Sequence, residues 1–231
     1  MQRILIMLFF LPGVCLGQSK YGVNAVLAAE YRASIKSNPK LELVDLEKVF
    51  PDFVFDIRYA TTNNFLKEKI YTSARAFVRR PVAEALKRAQ ADFNKLGLGI
   101  KIYDAYRPYA ATVLFYERYH DTTYVASPYR GSKHNRGCAL DMSLIDLKTR
   151  KEIPMPTEWD SFRKEAWPST PITDPVARKN RATIISIMEK NGFKVNASEW
   201  WHFDFNGWEK FPVMDVPFEE YTLSLHDALP I

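Results

Sequence analysis

Two short segments of the chain carry the side chains with the clearest capacity for chemistry. One segment holds His134 and Asp141, and the other, far downstream, holds Glu199 and His202. Two imidazoles and a carboxylate form the ligand set of a catalytic zinc site, which takes three protein ligands and leaves a fourth position for water. The spacing leaves open whether Glu199 binds the metal or acts beside it. The sequence therefore predicts a hydrolytic metal centre assembled from two distant segments.

Periodicity predicts the elements that would hold these side chains. Alternating apolar residues over 139–145 predict a strand that carries Asp141, with His134 in the loop before it. Residues 193–195 and 200–205 are interpreted as paired strands. Only the tertiary structure can show that the two segments converge.

The remaining pattern predicts one α+β domain, in which helices flank a small, largely antiparallel sheet. An amphipathic helix is predicted over 81–96 because apolar residues recur there at intervals of three and four, with Pro81 in the first turn and Gly97 after the end. A second helix over 175–190 is capped by Asp174. Further helices are predicted over 21–37 and 111–119, and further strands over 53–59 and 99–103.

Composition supports a packed globular chain and excludes some partners. Of the 231 residues, 47% are hydrophobic and 26% are charged, which is sufficient for a full core. The formal net charge of +5 is scattered, with no run of like charges, whereas nucleic-acid binding normally needs a clustered basic face. We therefore expect no nucleic-acid partner.

Residues 1–17 have the pattern of a secretory signal peptide: a positive start at Arg3, an apolar run and a small residue before Gln18. The apolar run is too short for a permanent anchor, so export to the periplasm or beyond, without stable membrane insertion, is predicted. Lipid attachment at Cys15 is not favoured, because Val14 is bulkier than the residue expected before a lipidated cysteine.

The mature chain would keep Cys138 alone, so no internal disulfide is expected, and Cys138 is predicted to be a small packed residue. The predicted domain covers residues 18–220. Residues 221–231 lack a pattern that continues the domain and resemble a non-native tail, so His226 is given no function.

The chain resembles a known family in several motifs that occur in the same order. Ser132-x-His134-x-x-Gly137-x-Ala139-x-Asp141 followed by Glu199-x-x-His202 is similar to the zinc D-alanyl-D-alanine dipeptidases, the VanX-type members of the M15 peptidases. The likeness also includes 56–61 and 103–108, and runs from about residue 44 to 218. It implies the zinc fold shared by D,D-peptidases and Hedgehog domains.

The resemblance also implies roles for individual residues. Three would bind a single zinc ion, namely His134, Asp141 and His202. Glu199 would be the general base and Arg107 would stabilise the oxyanion. Ser132, Tyr59 and Asp160 would contact the termini of a small dipeptide, with Asp160 facing its free amine.

Two positions depart from the family pattern, and two other functions stay open. Trp159 follows Glu158 where plainer residues are expected, and Cys138 stands where a small residue is commoner. The first alternative is a D,D- or L,D-carboxypeptidase or endopeptidase acting on peptidoglycan stem peptides. The second is a non-catalytic module stabilised by zinc, which the presence of both Glu199 and Arg107 disfavours. The oligomeric state does not follow from the sequence.

Overall fold

A five-stranded sheet forms the centre of the computed structural model, which describes residues 19–222. Its strands run in the order β2-β4-β5-β7-β6; β2 is parallel to β4, and every other pairing is antiparallel. A separate antiparallel pair joins β1 to β3. The strands are β1 Leu43–Asp45, β2 Val54–Phe55, β3 Phe77–Arg79, β4 Leu98–Asp104, β5 Ala139–Asp146, β6 Phe193–Val195 and β7 His202–Phe205.

Helices pack around this sheet, as the predicted α+β class requires. They are α1 Ala28–Ser37, α2 Leu46–Val49, α3 Arg80–Asn94, α4 Tyr109–Arg118, α5 Pro175–Lys190 and α6 Glu219–Thr222. Within residues 19–222, none of these helices has the length and apolar character needed to cross a bilayer.

The predicted helix over 81–96 is confirmed as α3, and its apolar stripe is buried. Val82, Leu86 and Phe93 have no exposed surface, and the helix lies against β4. The helix ends earlier than predicted, at Asn94. Leu96 is therefore solvent-exposed at 57%, not part of the buried stripe.

The predicted helix over 175–190 is confirmed as α5. The side chain of Asp174 accepts a hydrogen bond from the backbone N–H of Val176 at 2.8 Å, which satisfies one of the free donors of the first turn. Ile184 and Met188 are fully buried, so this stripe belongs to the core.

Two strand predictions need correction. Of residues 53–59 only Val54–Phe55 is a strand. The last hydrogen bond to β4 runs from the N–H of Asp56 to the carbonyl of Ile102, and the chain then enters a 3-10 turn at Arg58–Ala60. The strand predicted from residue 200 begins at His202. The β1–β3 pair was not predicted, because three-residue strands buried throughout show no alternation.

The packed part of the chain reaches α6. Tyr221 is buried, and its ring centre lies 5.3 Å from that of Tyr31. Tyr221 is one residue beyond the predicted domain boundary at residue 220. The predicted signal peptide and residues 223–231 lie outside the described residues.

Candidate active site

The register between β5 and β7 brings together side chains that are far apart in sequence. Asp141 on β5 lies directly opposite His202 on β7 in the antiparallel pairing. Residues opposite one another in such a pair have neighbouring side chains on the same face. Glu199 lies in the turn that enters β7, where its carbonyl accepts from the N–H of His202 at 3.3 Å.

His134 reaches the same place through a tight turn. It begins the 3-10 turn His134–Arg136, which Gly137 ends with φ of 67°. A Cβ atom at Gly137 would lie 2.5 Å from Cδ2 of Leu43, so the left-handed conformation and the close packing both require glycine. The turn leads directly into β5, as predicted.

Three ligand atoms converge in this region. His134 Nε2 lies 3.3 Å from Asp141 Oδ1 and 3.2 Å from His202 Nδ1, and the latter two atoms are 3.1 Å apart. Tetrahedral metal–ligand bonds of about 2.0–2.1 Å place ligand atoms roughly 3.3 Å from one another. Asp141 Oδ1 is buried and has no hydrogen-bond partner within residues 19–222. The three side chains are therefore placed to hold one metal ion.

The outer nitrogen of each imidazole has an acceptor that orients the ring. His134 Nδ1 lies 2.7 Å from the carbonyl of Ala105, and His202 Nε2 lies 2.9 Å from Asp204 Oδ1. Donation from these nitrogens leaves the lone pairs of the other two directed at the centre, as in many metal sites. Asp204 was not predicted, although its position two residues after His202 on a strand puts both side chains on one face.

The centre attracts positive charge. Burial acts to raise the pKa of Asp141, but the neighbouring imidazoles of His134 and His202 lower it below its ordinary value. Burial acts to lower the pKa of His202, but the carboxylates of Asp141 and Asp204 more than offset this effect and raise the pKa of His202 to about 10. A cation at this point relieves the mutual repulsion of two lone pairs and a carboxylate.

Glu199 stands beside the three ligand atoms. Its Oε2 lies 3.5 Å from His202 Nδ1 and 3.5 Å from the side-chain nitrogen of Asn196. Burial, assisted by the charge of Asp141, raises the pKa of Glu199 to about 7. A carboxylate with such a pKa can both accept and return a proton near neutral pH.

Arg107 is held beside the three ligand atoms by Asp104, a residue to which the sequence assigned no role. Asp104 Oδ2 accepts from Arg107 Nη2 at 2.6 Å and from Nε at 3.1 Å, and Tyr71 OH lies 3.3 Å from the same Nε. The guanidinium carbon stands 4.7 Å from the centre of the Phe115 ring. Buried charge pairs of this kind hold the guanidinium in one orientation.

Asn135 joins the arginine segment to the histidine turn. Its side chain donates to the carbonyl of Arg107 at 2.9 Å and accepts from the N–H of Ser132 at 2.6 Å. Ser132 Oγ in turn accepts from the N–H of His134 at 3.2 Å. No sequence signal distinguishes Asn135 from other polar loop residues.

One cavity of about 590 Å³ unites the predicted site. Its walls include every side chain to which a site role was assigned from the sequence: Tyr59, Arg107, Ser132, His134, Asp141, Asp160, Glu199 and His202. Phe65, Phe115 and Trp201 supply aromatic surface to the same cavity.

Asp160 enters the cavity from a strained loop. Its φ of 64° is uncommon for a residue other than glycine, and Tyr59 OH donates to its Oδ2 at 3.1 Å. Burial, together with the charges of Asp141 and Glu199, raises the pKa of Asp160 to about 8. Backbone strain and a raised carboxyl pKa together are typical of a functional position.

Asp160→Asn is expected to stabilise the metal-free protein in a pH-dependent way. Because the pKa rises on folding from 3.8 to about 8, the folded state binds a proton that the unfolded state releases, and stability falls as pH rises through this window. The amide never ionises. The gain in Tm should therefore be small near pH 4 and largest above pH 8, measured by thermal unfolding in chelator. A gain in Tm that does not change with pH would contradict the raised pKa of Asp160.

The sheet, the three converging ligand atoms and the carboxylate beside them define a metallopeptidase. A family model described as D-ala-D-ala dipeptidase, Peptidase_M15, matches residues 39–222, and the chain belongs to that family.

Curated relatives agree with this membership. The D-alanyl-D-alanine dipeptidase of Escherichia coli (strain K12) is 33% identical over 177 residues, which cover 77% of this chain and 91% of the relative. The D-alanyl-D-alanine dipeptidase of Enterococcus faecalis (strain ATCC 700802 / V583) is 28% identical over 181 residues, covering 68% and 88%. That of Streptomyces coelicolor (strain ATCC BAA-471 / A3(2) / M145) is 28% identical over 172 residues, covering 64% and 84%.

Proposed function

We propose that this chain is a zinc-dependent dipeptidase that hydrolyses D-Ala-D-Ala in cell-wall peptide metabolism. The observation that carries the proposal is the position of Asp160, which lines the same cavity as the three ligand atoms and Glu199. A half-buried carboxyl group there suits the free amine of a dipeptide. Family membership and the named activity of the relatives support the same substrate.

Zinc is the metal that the donor set fits best. Two imidazole nitrogens and one carboxylate oxygen form a three-ligand set of the catalytic type, and each of the three side chains makes a further hydrogen bond through its other polar atom. One ion per chain would be held by His134, Asp141 and His202. When bound, zinc supplies Lewis acidity toward the scissile carbonyl and the attacking water.

Glu199 would carry the proton during hydrolysis. It accepts the proton of the water as the water oxygen bonds to the carbonyl carbon, and it then delivers that proton to the leaving amine as the C–N bond breaks. Its position 3.5 Å from a ligand atom and its raised pKa suit both steps.

Arg107 and the residues around it would bind and orient the substrate. The Arg107 guanidinium, held by Asp104, stabilises the negative charge that develops on the carbonyl oxygen. Asp160, held by Tyr59, binds the cationic amine, and Ser132 contributes to the binding of the termini. The proposed roles of these residues make the cavity complementary to a zwitterion.

We also propose that the protein acts outside the cytoplasm. The support is the signal-peptide pattern of residues 1–17.

The substrate's amine provides the test of this function. D-Ala-D-Ala should be hydrolysed much faster than its N-acetyl form, because acetylation removes the cation and leaves Asp160 without a charged partner. The charge-assisted hydrogen bond that is lost is worth about 1.5–3 kcal/mol, which corresponds to roughly one to two decades of kcat/KM. Steady-state kinetics on the two compounds measure this ratio.

Asp160→Asn should reduce the preference for the free amine, whereas Asp52→Asn, the same change at an exposed residue, should preserve it. Equal rates on the free and acetylated compounds would overturn the dipeptidase assignment and favour a carboxypeptidase.

A further inference from the structure

Trp159 contacts the metal centre through the ligand Asp141. Its indole Nε1 donates to Asp141 Oδ2 at 3.2 Å, and the side chain is only 5% exposed. In the sequence, Trp159 is marked only by its departure from the family pattern. Its contact with a predicted ligand indicates that it takes part in the site.

The ring of Trp159 is held on two sides. Tyr103 stacks on it with ring centres 5.2 Å apart and planes 19° apart, and Tyr59 meets it edge-on at 5.1 Å. The guanidinium carbon of Arg58 lies 5.7 Å from the ring centre. A ring clamped in this way cannot rotate its N–H away from Asp141 without disturbing several packed neighbours.

The two oxygens of Asp141 therefore face different surroundings. Oδ2 accepts the indole N–H, whereas Oδ1 has no hydrogen-bond partner among the described residues and faces His134 Nε2 and His202 Nδ1. A carboxylate can offer a metal one oxygen or both. The bond from Trp159 to Oδ2 favours Oδ1 as the oxygen that faces the centre.

We propose that Trp159 is a positioning residue that keeps Asp141 a one-oxygen ligand and so preserves an open position at the metal. A three-ligand catalytic site needs that position for water. Trp159 directly precedes Asp160, whose carboxyl group accepts from Tyr59. The position of Trp159 therefore also links Asp141 to the carboxyl group that is proposed to bind the amine. The proposal rests on the metal centre of the proposed function.

Trp159→Phe tests this role because it keeps an aromatic ring and removes the N–H donor together with part of the indole. Loss of an outer hydrogen-bond partner typically weakens metal binding about 10- to 100-fold. We expect a zinc Kd raised by that factor, measured by competition with a chromophoric chelator. In the cobalt-substituted protein, the visible absorption should weaken as Asp141 gains freedom to bind through both oxygens and the coordination number rises.

Trp167→Phe is the matched control, because the indole Nε1 of Trp167 is buried and has no hydrogen-bond partner in the part of the chain that the structure describes. It should leave the zinc Kd and the cobalt spectrum as in the wild type. If Trp159→Phe does not fold, site-specific replacement of Trp159 by benzothienylalanine, which has sulfur in place of the N–H, makes the same comparison.

The outcomes separate this proposal from the proposed function. A wild-type protein that binds no zinc would overturn the metal centre itself. A folded Trp159→Phe or benzothienyl protein with the zinc Kd and cobalt spectrum of a zinc-binding wild type would overturn the role of Trp159 alone. A lower Tm with unchanged metal binding would show that the indole only packs.

Discussion

Glu199→Gln should abolish most of the turnover while leaving the metal in place. The amide has nearly the shape of the carboxylate but cannot accept the proton of the attacking water. General acid–base catalysis contributes about 10²–10⁴-fold, so kcat should fall by roughly that factor. The zinc content should stay at one ion per chain, because the three ligand atoms lie within 3.3 Å of one another without Glu199.

Glu209→Gln makes the same chemical change at an exposed residue and should retain the wild-type rate. Metal analysis and steady-state kinetics on both variants give the comparison. Loss of zinc in Glu199→Gln would show that Glu199 is a ligand, and a rate near that of the wild type would exclude it as the base.

His202→Ala should lose both zinc and activity. The substitution removes one of three ligands and leaves Asp204 without the imidazole that it contacts at 2.9 Å. Loss of an outer partner alone costs about 10- to 100-fold in metal affinity, and loss of a ligand should cost more. Metal analysis after dialysis should find nearly no zinc. Circular dichroism should show that the variant remains folded.

Cys138→Ala tests whether the thiol of Cys138 is a zinc ligand. The Cys138 side chain is fully buried, and burial raises the pKa of its thiol to about 12, so no thiolate is available near neutral pH. The variant should keep its zinc. Zinc loss on this substitution, with zinc retained in His202→Ala, would overturn the ligand assignment.

Local patterns in the sequence determined much of the framework. The three-and-four spacing of apolar residues predicts α3, and the cap at Asp174 predicts the start of α5, because both features depend only on near neighbours along the chain. Alternation likewise placed Asp141 inside β5. The candidate side chains also followed from the sequence, since few residue types can bind a metal or transfer a proton.

The convergence of those side chains was decided by the tertiary structure. Asp141 and His202 become neighbours through the register of β5 and β7, which depends on the packing of the whole sheet and not on either strand alone. The orientation of the imidazoles by Ala105 and Asp204 is likewise a long-range result.

The same limit explains the residues that the sequence did not reveal. Asp104 lies in a recognised motif and Trp159 departs from the family pattern, yet nothing in the sequence shows that Asp104 accepts from Arg107 or that Trp159 donates to Asp141. Their roles arise from hydrogen bonds in a buried site, where each polar group must find a partner that folding supplies. The sequence determined which groups could do the chemistry, and the folded structure determined how those groups are held, because partners distant along the chain leave no local pattern.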